Sequence, residues 1–356
     1  MLLAILVGVL FVGYGSAYLV SDDVRYLTRA GFEETHILKV RRPIPSVLAD
    51  PETDPVLRDL LGLVLEVRDY ADTLGLAAEQ TYTTYADVER DTLLLVLSAA
   101  PRDCLCPYTW HYPIVGRIPY KGFFDQAMAH READDLARRG FDTYLRPSAA
   151  FSTLGWFNDP LLSTAVTRDS VELAALVFHE ITHNTIFVPS AAPFNEGLAQ
   201  MVGYLSAARF FEHRGRPELA ARARDRWHDE VTLSAYYDAL THRLERLYDR
   251  APPPDSAALS LGRARIGAWA GSFLGDSIGP SLLTYHIADD RPRLINNARV
   301  IARRIYRTRL KLFDDWYRAH GGDVREAVAA LVELEDGVPG DSAYPVLERA
   351  LAGHGN

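Results

Sequence analysis

Cysteine is nearly absent from this 356-residue chain, which has only Cys104 and Cys106. Two cysteines are too few for a cysteine-built zinc site, and a spacing of one residue is too tight for an easy loop-closing disulfide. We expect two half-buried thiols on one side of a strand. Cysteine usage therefore does not identify the cellular compartment.

Positive charge is also scarce, with 38 Lys and Arg against 47 Asp and Glu and a formal net charge of −9. This balance excludes a nucleic-acid role that rests on general electrostatic attraction. The run from Arg299 to Arg309 is interleaved with apolar residues and is predicted to be a solvated helix face. No internal repeat is visible, and three prolines between Ala251 and Ser256 predict a loop or a subdomain boundary.

Charge is absent from the first part of the chain, where nineteen residues from Leu2 to Val20 carry none. That length is about what an apolar helix needs to cross a bilayer. Gly15, Ser16 and Ala17 could form a cleavage site, whereas the lack of a basic stretch before the apolar run favours a retained anchor. Residues 1–20 are thus predicted to be a signal peptide or a single transmembrane anchor. Either alternative places the body in a bacterial envelope, periplasmic, anchored in the inner membrane or secreted across it.

Apolar periodicity predicts an α+β protein that is predominantly helical. The expected elements before the middle of the chain are helices over Pro55 to Leu74 and Lys121 to Arg139, and strands over Thr92 to Ala99, Phe141 to Arg146 and Ala150 to Phe157. Ser170 is expected to cap a helix that ends before Pro189, and a second helix is expected from Asn195. A small sheet should pack on the first of these helices. An α-helical lobe follows, as a candidate subdomain over 204–356.

The helix predicted from Ser170 contains His179-Glu180-Ile181-Thr182-His183. Residues four apart lie on one helix face, so both imidazoles can bind one metal ion, and zinc suits that pair. Glu180 would then flank the open position, where a carboxylate can move protons during hydrolysis. Glu196, in the segment after the turn at Pro189, is our third ligand, because a catalytic zinc takes three protein ligands.

The neighbours of the motif are apolar, including Leu176, Val177 and Phe178. Burying two histidines and a glutamate among them without a partner would cost several kcal/mol, and a metal ion removes that cost. The alternative is two core histidines bonded to backbone carbonyls and a surface glutamate. We expect one Zn²⁺ per chain.

The stretches Val177-Phe-His-Glu-Ile-Thr-His183 and Phe194-Asn-Glu-Gly-Leu-Ala199 resemble the gluzincin peptidases, the thermolysin and zinc-aminopeptidase group. Three further blocks are similar to the bacterial predicted aminopeptidases of Gram-negative envelopes, over roughly residues 25 to 335: Val115 to Phe124, Ser152 to Leu162, and Asn296 to Ala298. The resemblance implies a zincin-like fold and peptides with a free amino terminus as substrate. It also implies zinc ligands His179, His183 and Glu196 and a catalytic Glu180.

One departure concerns the residues four and five positions after Glu196, where many gluzincins have an aspartate that orients a histidine. This chain has Gln200 and Met201 there. Orientation of the ligands must therefore come from other residues.

Hydrolysis also needs a hydrogen-bond donor for the developing oxyanion, and Tyr306 and Tyr204 are candidates. Ordinary packing is the alternative for both. The predicted strand at Ala150 to Phe157 could bind substrate by strand addition, which would place Ser152, Thr153, Gly155 and Trp156 beside the cleft. Its alternative is a core strand. His111, among aromatic residues, is not proposed as a ligand.

These observations favour a zinc metallopeptidase, an aminopeptidase first, with residues 21–356 as the peptidase domain. A zinc endopeptidase or a cell-wall peptide amidase would share the same chemistry. A catalytically silent zinc-binding envelope protein is the alternative from another class, and the presence of Glu180 argues against it. The expected partners are a peptide substrate and, if the amino-terminal segment is uncleaved, a membrane.

Overall fold

The computed structural model describes residues 12–112, 116–149, 160–252, 255–287 and 294–354. Residues 12–20 are helical and lead into α1. The α-helices are α1 (Asp22–Val40), α2 (Ile44–Leu48), α3 (Pro55–Thr73), α4 (Gln126–Arg138), α5 (Ser170–Thr185), α6 (Ala192–His213), α7 (Pro217–Tyr248), α8 (Ser256–Ser272), α9 (Asn297–Arg304), α10 (Leu310–Ala319), α11 (Val324–Glu335) and α12 (Ala343–His354). The strands are β1 (Arg42–Pro43), β2 (Thr84–Ala86), β3 (Leu94–Ala100), β4 (Trp110–Tyr112), β5 (Gly116–Ile118), β6 (Lys121–Phe123), β7 (Asp142–Ser148) and β8 (Leu161–Leu162). The mainly helical composition agrees with the predicted α+β class.

Two three-stranded sheets lie in the first half of the chain. In one, β3 is the central strand and pairs antiparallel with β6 and β7, so Leu97 lies opposite both Lys121 and Leu145. In the other, β2 lies between antiparallel β1 and parallel β8. The sheet built on β3 packs against α4 and α9. Strands β4 and β5 form a separate pair.

The helix α5 is held by apolar contacts along its length. Val177, Phe178 and Ile181 are fully buried, and α5 packs against α3, α6 and α7. Tyr85 of β2 and Leu161 of β8 belong to the same apolar cluster. Full burial of side chains of this kind stabilises the fold by about 1.5–3 kcal/mol each, which gives the motif a rigid support.

Several predicted boundaries need correction. The cap of α5 is Asp169, whose carboxylate accepts from the N–H groups of Val171 and Glu172, and Ser170 is already helical. Helix α6 begins at Ala192, because Pro193 is accommodated in its first turn. Residues 121–123, predicted as helix, pair with β3 as β6, and α4 starts after its cap Asp125.

Two predictions about side chains are also wrong. Cys104 and Cys106 form a disulfide in the loop between β3 and β4. The chain bends at Leu105, so the two Cα atoms are 5.2 Å apart, whereas an extended chain would hold them about 7 Å apart. The arginine run is not a solvated face throughout, because Arg307 pairs with the buried Glu230.

None of the helices in the described ranges is both long and apolar enough to cross a membrane. The first eleven residues of the predicted membrane segment lie outside the described residues. The division of the chain at residue 204 stays a prediction; Tyr204 itself lies within α6.

Candidate metal centre

His179, His183 and Glu196 converge on one point between α5 and α6. The Nε2 atoms of the two histidines are 3.2 Å apart. The Glu196 carboxylate lies 3.3 Å from Nε2 of His179 and 3.9 Å from Nε2 of His183. Within the described residues, each of the three offers a ligand atom within 4.8 Å of the others. The two elements predicted to supply the ligands therefore bring them together.

The donor set fits zinc. Tetrahedral ligands at about 2.0–2.1 Å from the ion are about 3.3 Å apart, close to two of the three distances measured here. Two imidazole nitrogens that face each other at 3.2 Å need a proton or a cation between them, because each has one ring lone pair directed outward. Three protein ligands of this kind are typical of a catalytic rather than a structural zinc site.

The position of Glu196 is set by its neighbour Asn195, which is buried. The Asn195 side chain accepts from the Val188 N–H at 2.9 Å and donates to the Val188 carbonyl at 2.8 Å. These bonds hold the linker between α5 and α6. The first turn of α6 consequently starts at a defined place, with Glu196 directed toward the histidines. The role of Asn195 in this chain is therefore to position the glutamate that follows it.

Two glycines let other helices approach the site closely. A Cβ on Gly203 would lie 2.8 Å from the Ala175 carbonyl oxygen and 3.5 Å from the His179 Cβ. A Cβ on Gly197 would lie 2.8 Å from the Phe313 ring of α10. Real Cβ atoms do not approach that closely, so both positions require glycine for the observed packing. The separation of α5 and α6 at the metal centre is thus set by backbone contact.

The ligands perturb one another's protonation. Burial lowers the pKa of His179, but its hydrogen bond to Glu196 and the charges of Glu180 and Glu196 outweigh burial and raise it. Burial and the charge of His179 lower the pKa of His183 to about 4. Burial raises the pKa of Glu196, yet the two histidines lower it overall. A carboxylate and a neutral His183 are the forms that bind a metal ion.

Glu180 follows the first ligand on α5 and is partly buried. Its charge contributes to the raised pKa of both His179 and Tyr306. The residue predicted as the general base therefore follows a proposed ligand directly in the chain, and its charge acts on the phenol of Tyr306.

Tyr306 lies beside the histidines, with its ring centroid 6.5 Å from that of His179. Burial and then the charge of Glu196 raise its pKa, while Arg146 lowers it. Tyr120, after β5, responds to the same groups: burial and Glu196 raise its pKa, and Arg146 lowers it. Tyr306 and Tyr120 therefore both respond to the negative charge of Glu196 and to the positive charge of Arg146.

Arg146 of β7 was not predicted as a functional residue, and Tyr120 was predicted only to lie in a turn near the cleft or at a helix start. The Nε atom of Arg146 is buried and has no hydrogen-bond partner in the described parts of the chain. Sequence offered little signal for either: Arg146 ended a predicted strand, and Tyr120 lay in one of the blocks that carry the family resemblance. Their proximity to the ligands arises only from the tertiary fold.

A buried ion-pair network holds the segment that carries Tyr306. The adjacent Arg307 pairs with Glu230 at 2.7 Å, and the Tyr285 hydroxyl donates to the same carboxylate at 2.9 Å. The second oxyanion candidate, Tyr204, donates its hydroxyl to Glu172 at 3.0 Å. That bond gives the Tyr204 hydroxyl a carboxylate partner within the protein.

The predicted substrate-binding residues are not tested by the described structure. Ser152, Thr153, Gly155 and Trp156, with the whole strand predicted at 150–157, lie outside the described residues. His111 is exposed on β4. Met201 is fully buried in the core, and Gln200 is partly buried beside it.

Comparison with known proteins gives one match. Residues 25–341 match a family model described as "Putative aminopeptidase". No curated protein matches the chain. No solved structure matches it either.

Proposed function

Because the chain belongs to the family named "Putative aminopeptidase", we propose that it is a zinc-dependent peptidase that hydrolyses peptide bonds next to a free amino terminus. The observation that carries the proposal is the convergence of His179, His183 and Glu196 beside Glu180. A structural zinc site would close its fourth position and would have no use for an adjacent base.

Zinc bound by these three residues would lower the pKa of a water molecule to about 7 and polarise the scissile carbonyl. The Glu180 carboxylate accepts a proton from the attacking water and passes it to the leaving amine nitrogen, so that the peptide C–N bond breaks to an acid and an amine. One carboxylate serves both transfers.

Tyr306 and Arg146 act on the substrate carbonyl in this proposal. The Tyr306 hydroxyl donates a hydrogen bond to the oxyanion that develops as water adds. The Arg146 guanidinium, whose Nε has no partner in the described structure, binds an adjacent backbone carbonyl of the peptide. Both groups are partly or largely buried, where such interactions are stronger than in water.

The test compares the full-length chain with Glu180→Gln, with His183→Ala, and with His130→Ala as a control at an exposed histidine of α4. Zinc content is measured by elemental analysis, and activity on aminoacyl amides and internally quenched peptides. We expect one zinc per chain in all but His183→Ala, and cleavage only by the parent and His130→Ala.

Each outcome separates the candidate functions. Cleavage of aminoacyl amides alone supports an aminopeptidase, and cleavage of quenched peptides blocked at their amino ends supports an endopeptidase. Zinc binding by a parent that cleaves nothing would replace the enzyme proposal by a silent zinc-binding protein. Cleavage of cell-wall peptides in place of both panels would favour the amidase.

We also propose that the protein acts in a bacterial cell envelope, on the basis of the uncharged segment Leu2 to Val20. Membrane fractionation with sizing of the mature chain tests this. Recovery in the membrane fraction at full length supports an anchor, whereas loss of about twenty residues would refute a permanent one.

A further inference from the structure

A groove of about 530 Å³ lies between the carboxyl-terminal part of α7 and the facing part of α8. Four arginines line it: Arg243, Arg246, Arg250 and Arg265. It shares no residue with the metal centre or with the ion-pair network behind Tyr306. Its lining combines positive charge with apolar side chains, a combination that the proposed peptidase chemistry does not use.

The arginines of the groove differ from others in this chain. Arg222, Arg263 and Arg307 each pair with a carboxylate. In the described structure, no ion pair or hydrogen bond to a carboxylate is found for Arg243, Arg246, Arg250 or Arg265, and all four are exposed. The chain as a whole carries a net charge of −9. The four arginines therefore form a positively charged patch on a negatively charged protein.

Two of these arginines, Arg243 and Arg246, share one face of α7, and Arg250 lies two residues beyond the end of that helix. Arg243 and Arg246 are three residues apart, a spacing that makes like charges on a helix repel. An anion bound in the groove would relieve that repulsion. The guanidinium group is planar, with several donors in a fixed fork, and is well suited to the oxygen atoms of a phosphate group.

Arg243 is also positioned by an aromatic ring. Its guanidinium carbon lies 3.9 Å from the centroid of the Trp269 ring on α8. Stacking on a ring reduces the side-chain freedom that an arginine must lose when it binds an anion. The indole also reports on the groove, because its emission depends on the charge stacked against it.

The apolar part of the groove includes Leu247 and Leu261. Leu261 remains 53% exposed, although it lies beside the arginines. A Cβ on Gly262 would approach Leu247 to 2.6 Å, so the glycine brings α7 and α8 together. Leu247 fills the contact between the two helices and is 7% exposed, so Leu261 is the leucine that the groove presents to solvent.

We propose that this groove binds an anionic phospholipid, with the phosphate on the arginines and the first acyl carbons against Leu261. A simple anion would use the arginines and leave the exposed leucine without a role. Anionic lipid satisfies both parts of the lining, since basic clusters attract anionic head groups and apolar surfaces bind acyl carbons.

The experiment titrates the full-length protein in an uncharged detergent with dihexanoyl phosphatidylglycerol, glycerol 1-phosphate, inorganic phosphate and dihexanoyl phosphatidylcholine. Binding is followed by calorimetry and by Trp269 emission, assigned with Trp269→Phe. The groove variant is Arg246→Glu with Arg250→Glu. Its matched control is Arg131→Glu with Arg325→Glu, which changes the net charge equally at exposed positions of α4 and α11.

We expect phosphatidylglycerol to bind at least tenfold more tightly than glycerol 1-phosphate or phosphatidylcholine, and to lose at least tenfold in affinity in the groove variant only. Leu261→Ser should weaken phosphatidylglycerol binding and leave that of glycerol 1-phosphate unchanged, so it tests the apolar part without altering charge. Equal binding by the groove variant and the charge-matched control would overturn the proposal. Inorganic phosphate binding as tightly as the lipid would overturn it in favour of a simple phosphate site.

Discussion

The carboxamide of Asn195 forms two hydrogen bonds with the main chain of Val188: it accepts from the N–H at 2.9 Å and donates to the carbonyl at 2.8 Å. This pair spans the linker between α5 and α6 and fixes the residue after it, Glu196. The proposed third ligand therefore follows directly on a hydrogen-bonded turn, and the position of its carboxylate depends on the neighbouring amide of Asn195.

Replacing Asn195 by alanine should reduce both stability and metal affinity. It leaves the buried N–H and carbonyl of Val188 without partners, at a cost of about 1–3 kcal/mol each. Chemical unfolding and competition with a zinc chelator measure the two effects. The control is Asn184→Ala. The Asn184 side chain is exposed and donates a hydrogen bond to the Thr81 hydroxyl at 2.8 Å. Equal unfolding midpoints in the two variants would contradict the assigned role.

Replacing Tyr306 by phenylalanine should lower kcat by about 10²–10³ and leave KM and zinc content nearly unchanged. The reason is that the hydroxyl is proposed to interact only with the transition state. Tyr120→Phe serves for comparison. Because Tyr120 is 44% exposed, this substitution should lower kcat by less than tenfold. If Tyr306→Phe keeps kcat within threefold of the parent, the phenol has a packing role only.

Gly203→Ala should destabilise the protein, because the new methyl group meets the Ala175 carbonyl at 2.8 Å and α5 must move away from α6. We expect a loss of about 1–3 kcal/mol and weaker zinc binding. Gly62→Ala is the matched control in α3, where a Cβ meets nothing within 4 Å. That substitution should gain about 0.5–1 kcal/mol, since glycine is unfavourable within a helix. Thermal unfolding of both variants measures these changes in stability. A Gly203→Ala protein as stable as the parent and with full zinc affinity would refute the close-contact argument.

Glu335 should make stability depend on pH. Its carboxyl is 4% exposed, neither oxygen has a hydrogen-bond partner in the described structure, and burial raises its pKa from 4.5 to about 7. As the pH rises, the unfolded chain loses this proton first, so stability falls between about pH 4.5 and pH 7 and stays low above that.

The variant Glu335→Gln removes this ionisation. Relative to the parent, its free energy of unfolding should rise by about 2–3 kcal/mol from pH 5 to pH 8. Denaturant unfolding at several pH values measures the difference. Glu333→Gln, at an exposed position on the same helix, should track the parent at every pH. A constant difference between Glu335→Gln and the parent would contradict the prediction.

The convergence of the three proposed metal ligands was predictable because local rules determine it. His179 and His183 are one helical turn apart, so their common direction follows from helix geometry alone. Glu196 needed only the expectation that the chain turns after Pro189. The same local rules located α3, β3 and α5, whose apolar spacing is regular.

The rest of the site depends on contacts between distant parts of the chain. Arg146 comes from a strand, and Tyr306 follows α9, which packs on the sheet that contains Arg146. No spacing in the sequence relates them. The burial of Arg307 was missed for the same reason, since its partner Glu230 lies 77 positions earlier on α7. The disulfide was missed because a bend at one residue changed the distance that a straight chain would keep.

The order in which the parts of the site are synthesised follows from where they lie in the chain. His179, His183 and Glu196 are all present once α6 has left the ribosome, whereas Tyr306 lies 110 positions after Glu196. The three proposed ligands therefore lie in one helical hairpin, and the proposed catalytic phenol joins them after most of the remaining chain has been made. Under the proposed mechanism, a partly synthesised molecule could hold zinc and still lack full hydrolytic power.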